Sequence, residues 1–328
     1  MAFHHGGSAA PRSHRRCLKD RLMTLRFDRR LRANLAPLSL ALLILAAPLA
    51  AVTPAGAQEA KPIDTSRLVS VGGDVTEIIY ALGEEKRLVG RDSTSIYPEA
   101  ATKVPDVGYM RQLSPEGIMA TNPTAILAVE GSGPPETLAV LKNAAIPMET
   151  VPERYDGAGI VAKIERVGAV LGVEDKASAL AATVKADLDA AVAAADARPH
   201  AERKRVLFIL SMQSGKIMAA GKGTSADAIV ELSGAINATD TFQGYKPVTD
   251  EAIIEAKPDL VLMMTRGGSH SASDEELFKQ PALALTPAAA KKSVIRMDGL
   301  HLLGFGPRTA SAVRELNGAI YGKANASQ

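Results

Sequence analysis

The chain has 328 residues, with 38 Lys and Arg against 36 Asp and Glu, a formal net charge of +2, one cysteine and no tryptophan. A lone cysteine, Cys17, excludes an intrachain disulfide and any cysteine-built metal cluster. The near-neutral balance hides an asymmetry, because basic residues crowd the N-terminus.

Residues 1–37 carry nine Lys and Arg against Asp20 and Asp28. Leu38-Ser39-Leu40-Ala41-Leu42-Leu43-Ile44-Leu45-Ala46-Ala47 follows, an apolar run too short for an ordinary membrane span. Ala55-Gly56-Ala57 has the small-x-small form of a cleavage site, so residues 1–57 read as a signal peptide cut before Gln58. An uncleaved anchor is the competing reading, and Met23 is an alternative start. Cleavage removes nine basic and two acidic residues and takes the net charge from +2 to −5, so nucleic acid is not an expected partner. Cys17 leaves as well, and with it any lipid-modifiable or nucleophilic thiol. Export without a lipid anchor points to the periplasm.

The rest of the chain suffices for two compact domains. A strand is predicted at 67–71, broken by Gly72-Gly73, then a helix capped by Asp74 or Thr76 with Ile78, Ile79, Ala81 and Leu82 on one face. The strand at 87–90 leads into Gly90-Arg91-Asp92-Ser93-Thr94-Ser95-Ile96-Tyr97-Pro98. Pro98 biases Tyr97 towards an extended backbone, and strand-end loops on a rigid scaffold often carry binding residues. A phenol there can act as a ligand, as a lid or as plain packing. A helix at 114–120, a strand at 125–129, a helix at 136–143 and a strand near 148–151 complete a parallel α/β pattern. Ile160, Ile164, Val167, Val170 and Leu171 share a helical face that Gly172 ends. From Glu174 to Ala195 there is no Gly or Pro, and Leu180, Val184 and Leu188 recur every four residues, so this long helix is a candidate connector. Strands at 205–210, 260–264 and 293–297 and a helix at 308–321 form a second α/β set. The expected plan is a lobe at 58–173, a connecting helix at 174–198 and a lobe at 199–328, both lobes Rossmann-like with parallel sheets.

An internal repeat supports two equivalent lobes. Leu113-Ser114-Pro115-Glu116-Gly117-Ile118-Met119-Ala120-Thr121-Asn122-Pro123 in the first half matches Val248-Thr249-Asp250-Glu251-Ala252-Ile253-Ile254-Glu255-Ala256-Lys257-Pro258 in the second. Each has a Ser or Thr cap, a Glu two residues later, a short helix, a Pro seven residues after the Glu, and then a strand. Glu116 and Glu251 thus occupy comparable places, although any helix-start glutamate would look alike.

Across about residues 66–322 the chain resembles the periplasmic substrate-binding proteins of the single-helix-hinge class that serve ABC importers, and within them the haemin-binding branch. The matching motifs are Gly72-Gly73-x-x-Thr76-Glu77-Ile78-Ile79-Tyr80, Asp92-x-Thr94-Ser95-x-Tyr97-Pro98 and Gly108-Tyr109-x-x-Gln112-Leu113-Ser114-x-Glu116-Gly117-Ile118. Ala220-Gly221-Lys222-Gly223-Thr224-Ser225-Ala226-Asp227-Ala228 and Gly304-x-Gly306-Pro307-Arg308 add to them. The resemblance implies ferric haem as the carried ligand, Tyr97 as its axial ligand, and Glu116 and Glu251 as the contacts to arginines of an inner-membrane permease. The expected protein is a monomer that binds without catalysing.

Phenolate is a hard anionic donor suited to ferric iron, and tyrosinate ligation of haem is an established mode. A phenol ionises near pH 10 unless iron or a nearby cation favours its anion, so Arg91 and Arg266 are the expected supports, for the phenolate or a haem propionate. Some relatives carry a basic residue two positions after the tyrosine, where this chain has Glu99. Of the three histidines beyond residue 57, His200 reads as a solvated linker residue, while His270 and His301 are candidates for haem or propionate contact. Tyr109, Met110, Met212, Met218, Phe242 and Tyr245 are candidate apolar walls.

Three scattered histidines argue against a bare zinc or manganese site, and the lack of Trp argues mildly against a siderophore. Ferric siderophore and cobalamin remain the alternative cargoes. Glu130-Gly131-Ser132-Gly133 and Gly221-Lys222-Gly223-Thr224-Ser225 miss the G-x-S-x-G hydrolase pattern, and residues 215–223 miss the P-loop spacing.

Overall fold

The computed structural model describes residues 63–213, 215–265 and 272–322. The expected signal peptide lies outside the described residues, as do Arg266 and His270.

The first lobe comprises, in order, β1 (Leu68–Val71), α1 (Gly73–Ala81), β2 (Leu88–Arg91), β3 (Gly108–Tyr109), β4 (Gln112–Leu113), α2 (Pro115–Ala120), β5 (Ala125–Val129), α3 (Pro135–Asn143), β6 (Met148–Val151) and α4 (Gly157–Leu171). Its sheet runs β2-β1-β5-β6 and is parallel throughout, as the strand–helix alternation predicts. β1 and β5 are buried along their whole length because apolar side chains pack on both faces, which is why they are unbroken apolar runs.

Helix α1 is capped at Gly72, not at Asp74 or Thr76 as the sequence suggested. Both side chains are claimed elsewhere: Asp74 pairs with Lys163, and the Thr76 hydroxyl is 2.6 Å from Ser70 Oγ. Gly72 holds φ +113, and a side chain on Gly73 would strike Leu300 of the second lobe and the Thr94 carbonyl.

The second lobe follows α5 (Glu174–Asp196) and comprises β7 (Arg205–Gln213), β8 (Lys216–Ala220), α6 (Ser225–Leu232), β9 (Ile236–Asn237), β10 (Tyr245–Val248), α7 (Asp250–Ala256) and β11 (Leu260–Thr265). Then come α8 (Asp274–Phe278), α9 (Pro281–Ala284), α10 (Pro287–Ala290), β12 (Val294–Asp298), α11 (Gly299–Leu303) and α12 (Thr309–Tyr321). The sheet order is β10-β8-β7-β11-β12, with β9 beside β7. Its β7-β11-β12 core is parallel as expected, but β8 runs antiparallel to both β7 and β10. Gln213 pairs directly with Lys216, a link too short for a parallel crossover and suited to a hairpin. Pro247 is accommodated because β10 is an edge strand.

Helix α5 has 23 residues, about 34 Å at 1.5 Å per residue. Ala177, Ala181, Val184, Leu188, Ala191 and Ala195 are buried at alternating spacings of four and three, one stripe against the protein. That stripe packs on α4 of the first lobe and α12 of the second. Lys176 Nζ donates to Glu84 Oε1 at 2.7 Å in the first lobe, and Asp187 pairs with Arg314 in the second. A single apolar cluster runs from Leu68, Ile78 and Ile164 through Val184 and Leu188 to Phe208, Ile229 and Leu316, so the two lobes share one core through α5.

Candidate functional site

Beyond β2 the chain enters a loop built around Asp92, whose side chain is fully buried. Its Oδ1 accepts from the Gly72 amide at 3.0 Å and from Ser95 Oγ at 2.6 Å. Its Oδ2 accepts from the Thr94 amide at 2.9 Å and from Thr94 Oγ1 at 2.6 Å. Ser95 Oγ also lies 2.7 Å from Thr76 Oγ1, tying the loop to α1. A carboxylate with four donors has its hydrogen-bonding capacity filled, so the loop is fixed by interior bonds. The Asp-x-Thr-Ser-x-Tyr motif is therefore a mounting for Tyr97, which stands 43% exposed at the loop's end. Among the described residues, no side chain hydrogen-bonds its hydroxyl.

Among the described residues, the cation over the Tyr97 ring is Arg308, at the start of α12 in the second lobe. Its guanidinium carbon lies 3.5 Å from the centre of the Tyr97 ring, a cation–π contact between lobes. Glu77 of α1 aims it: Arg308 Nε donates to Glu77 Oε2 at 2.9 Å, and its backbone amide donates to Oε1 at 3.2 Å. Arg308 Nη2 lies 2.9 Å from Glu77 Oε2 as an ionic contact, although its geometry does not make a hydrogen bond. Burial holds the Glu77 carboxyl above the usual carboxylate range, and the Arg308 bonds and charge draw it partly back.

His301 stands behind Arg308. Arg308 Nη1 is 3.3 Å from His301 Nδ1, and His301 Nε2 is 3.2 Å from Glu315 Oε2. An Nε2–H tautomer satisfies both neighbours, accepting at Nδ1 and donating to the carboxylate. Both ring nitrogens are thus engaged with protein groups, where the sequence offered His301 for haem or propionate contact.

Arg91, expected as a support for the phenolate or a propionate, lies beneath the loop. It is largely buried at the end of β2, with Nη1 donating to Asp106 Oδ2 at 2.8 Å and to the Asp92 carbonyl at 3.1 Å. Asp106 also accepts from Ser93 Oγ at 3.0 Å, so Arg91 braces the loop from beneath and it is Arg308 that covers the phenol ring.

Tyr109 and Tyr245 are both exposed. The Tyr109 hydroxyl accepts from Arg111 Nη1 at 2.9 Å, and Tyr245 meets Phe208 edge-on at 6.4 Å with its hydroxyl 3.3 Å from Ser225 Oγ. Tyr155, which sequence reasoning passed over, packs edge-on against Phe305 of the second lobe at 5.2 Å. Burial raises its hydroxyl's pKa, with Glu153 and Tyr245 adding to the rise and Lys163 and Arg111 opposing it. Arg111 is therefore a second cation of this region, and it sat unremarked inside the Gly108-to-Ile118 motif. Met212 and Phe242, candidate walls in the sequence, are partly buried against the second-lobe cluster that contains Leu207 and Ile209.

Behind the site lies a buried ionic group. Lys163 of α4 is fully buried, pairs with Asp74 and donates to Glu153 Oε1 at 2.8 Å. Burial and the nearby Asp74 push the Glu153 carboxyl up to about 7, while Lys163 opposes the rise. The two carboxylates hold the Lys163 ammonium above its ordinary value against the effect of burial.

Glu116 and Glu251 are both exposed, in the first turns of α2 and α7. Ser114 and Thr249 cap these helices by accepting from the Gly117 and Ala252 amides. Each carboxyl sits below the usual range, because its own backbone amide and the cap hydroxyl stabilise the anion.

A sequence profile described as periplasmic binding protein matches residues 68–299. The chain belongs to that family. This periplasmic binding protein is similar to a solved structure of the periplasmic heme-binding protein BhuT in complex with two hemes, at 38% identity and TM-score 0.73, covering 77% of this chain and 97% of that one. It is also similar to the periplasmic heme-binding protein RhuT from Roseiflexus sp. RS-1 in apo form, at 37% identity and TM-score 0.74, covering 78% and 98%. Among curated proteins it is 30% identical over 260 residues to an uncharacterized ABC transporter substrate-binding lipoprotein, YvrC, of Bacillus subtilis (strain 168), covering 79% of this chain and 81% of that one. Vitamin B12-binding proteins are among its more distant relatives.

Proposed function

We propose that this periplasmic binding protein captures ferric haem between its lobes, with Tyr97 as the iron ligand, and delivers it to an ABC importer of the inner membrane. The observation that carries this reading is the pairing of Tyr97 with Arg308. An exposed phenol on a fixed loop, with a guanidinium from the opposite lobe on its ring, offers a hard anionic donor beside a cation. The likeness to two heme-binding proteins over nearly their whole lengths supports the same cargo. Arg111 is the group proposed to meet a haem propionate, with Tyr109 and Tyr155 supplying aromatic surface near it and Tyr245 near Tyr155. Residues 58–173 and 199–328 act as the two lobes and 174–198 as the rigid connector. The chain works as a periplasmic monomer after loss of residues 1–57, binding without chemistry. Glu116 and Glu251 meet arginines of the permease.

Cargo is decided by calorimetric melting of the mature protein with haemin, cyanocobalamin or a ferric hydroxamate siderophore. A ligand at a hundred times its dissociation constant stabilises the folded state by about 2.7 kcal/mol. Haemin alone is expected to raise the melting temperature, and a rise with cobalamin or siderophore alone would replace haem as the cargo.

A further inference from the structure

The internal repeat continues past the two glutamates. Three residues after Glu116, on the same helix face, Met119 is 38% exposed. Three residues after Glu251, Ile254 is 39% exposed. In each helix the preceding residue, Ile118 or Ile253, is buried in its own lobe, so the apolar group next to it is the one turned outward. Large apolar side chains scattered singly on a surface need no explanation. Two of them at matched positions, each three residues from a matched carboxylate, form a repeated feature.

The mountings of the two helices repeat as well. The residue after each helix's last turn takes a left-handed conformation before its proline, Asn122 at φ 51° and Lys257 at φ 44°. An arginine just before β1 and another at the start of β7 hold the carbonyls at each helix's C-terminal end. Arg67 donates through Nε to the Asn122 carbonyl at 2.7 Å and through Nη2 to Thr121 at 2.6 Å, and Arg205 Nε donates to the Ala256 carbonyl at 2.7 Å. The same two residues' backbone amides bond Thr124 Oγ1 at 3.0 Å and Asp259 Oδ2 at 2.9 Å. Each helix then feeds the strand that pairs in parallel with its lobe's first strand, β5 beside β1 and β11 beside β7. The two carboxylate–apolar pairs are therefore presented on equivalent, fixed elements.

Resting on the docking role proposed above for Glu116 and Glu251, we infer that Met119 and Ile254 are the apolar anchors of a two-point docking surface. Its occupant is the importer's permease, presenting twice, by its own two-fold symmetry, a basic side chain beside an apolar pocket. The carboxylates answer the charge, and the side chains three residues on fill the pocket. Interface energy concentrates in a few well-packed side chains that lose their water on docking.

The test has two arms. Benzoylphenylalanine placed singly at Met119, Ile254, and the exposed controls Val140 and Leu285 is photolysed in cells, and the adducts are identified by mass spectrometry. The expected result is one permease polypeptide captured from both positions 119 and 254 and not from the controls. Capture of that polypeptide from neither position, or of different proteins from the two, overturns the inference. That permease, purified in nanodiscs with its ATPase, is then titrated with Met119→Ser, Ile254→Ser and the double variant. Each single change is expected to weaken docking about tenfold, and unchanged affinity in the double variant overturns the anchor role. Glu116→Gln with Glu251→Gln is run beside them. Unchanged docking in that variant together with loss in the serine variants would remove the glutamates while keeping the anchors. Haemin titration of every variant should match wild type, which separates a docking defect from misfolding or a wrong cargo.

Discussion

Arg308 of the second lobe lies 3.5 Å over the ring of Tyr97 of the first, held there by Glu77. A planar guanidinium on a ring face differs from a point charge, so lysine should replace it poorly. Arg308→Ala is expected to weaken haemin affinity roughly 3- to 30-fold, with Arg308→Lys closer to alanine than to wild type. Competition titration against an apo-haem acceptor measures this.

The same variant should show a pH-dependent loss of stability. Glu77 is buried and its carboxyl is already raised; without Arg308 the anion loses its cation and the folded state favours the acid form. The folded chain then holds a proton that the unfolded chain releases, so stability falls as pH rises. The melting temperature of Arg308→Ala, relative to wild type, is expected to drop more at pH 8 than at pH 5. An equal drop at both would show that Glu77 does not carry the effect.

Asp92 fixes the Tyr97 loop with four accepted bonds while fully buried. Asp92→Ala strands those donors in the interior, a cost of about 2–4 kcal/mol. Denaturant melts should show that loss. Asp92→Asn, keeping the shape but placing an NH2 group among donors, should fall between alanine and wild type.

Glu153 contributes to the pH dependence of the intact protein's stability. Burial and the nearby Asp74 push its folded carboxyl up to about 7, above the ordinary glutamate value of about 4.5. Between those values the folded chain keeps a proton that the unfolded chain loses, so this group's stabilising contribution is complete below about pH 4.5 and disappears as pH rises through about 7. Lys163, raised by its partners, stays charged throughout this window. Glu153→Gln should flatten the fall in melting temperature between pH 5 and 8.

Lobe movement should be modest. Helix α5 has no Gly or Pro, the apolar cluster passes through it without a break, and Lys176 and Asp187 fasten it to either lobe. Small-angle scattering of the free and haemin-loaded protein should give nearly equal radii of gyration, and marked compaction on loading would contradict this.

Much of this arrangement was legible in the residues. The repeat announced equivalent lobes, and the unbroken run from Glu174 announced the connector, because periodicity and helix-breaking residues act locally. The antiparallel β8 was not legible: Lys216–Ala220 is short, and its partner β10 contains Pro247, so neither has a strong strand signature. Arg308 was visible in the Gly-x-Gly-Pro-Arg motif, yet its role depends on a contact between lobes that no local pattern encodes. Lys163 left a clear mark, a cation on the buried face between Ile160 and Ile164, where only a paired ammonium is tolerated.

The most direct test of Tyr97 as the haem ligand is a visible-absorption titration of the mature protein with haemin beside Tyr97→Ala. The expected result is a saturable Soret band with ferric high-spin charge-transfer features in the wild type, lost or shifted in the variant. An identical spectrum and affinity in Tyr97→Ala would contradict Tyr97 as the ligand.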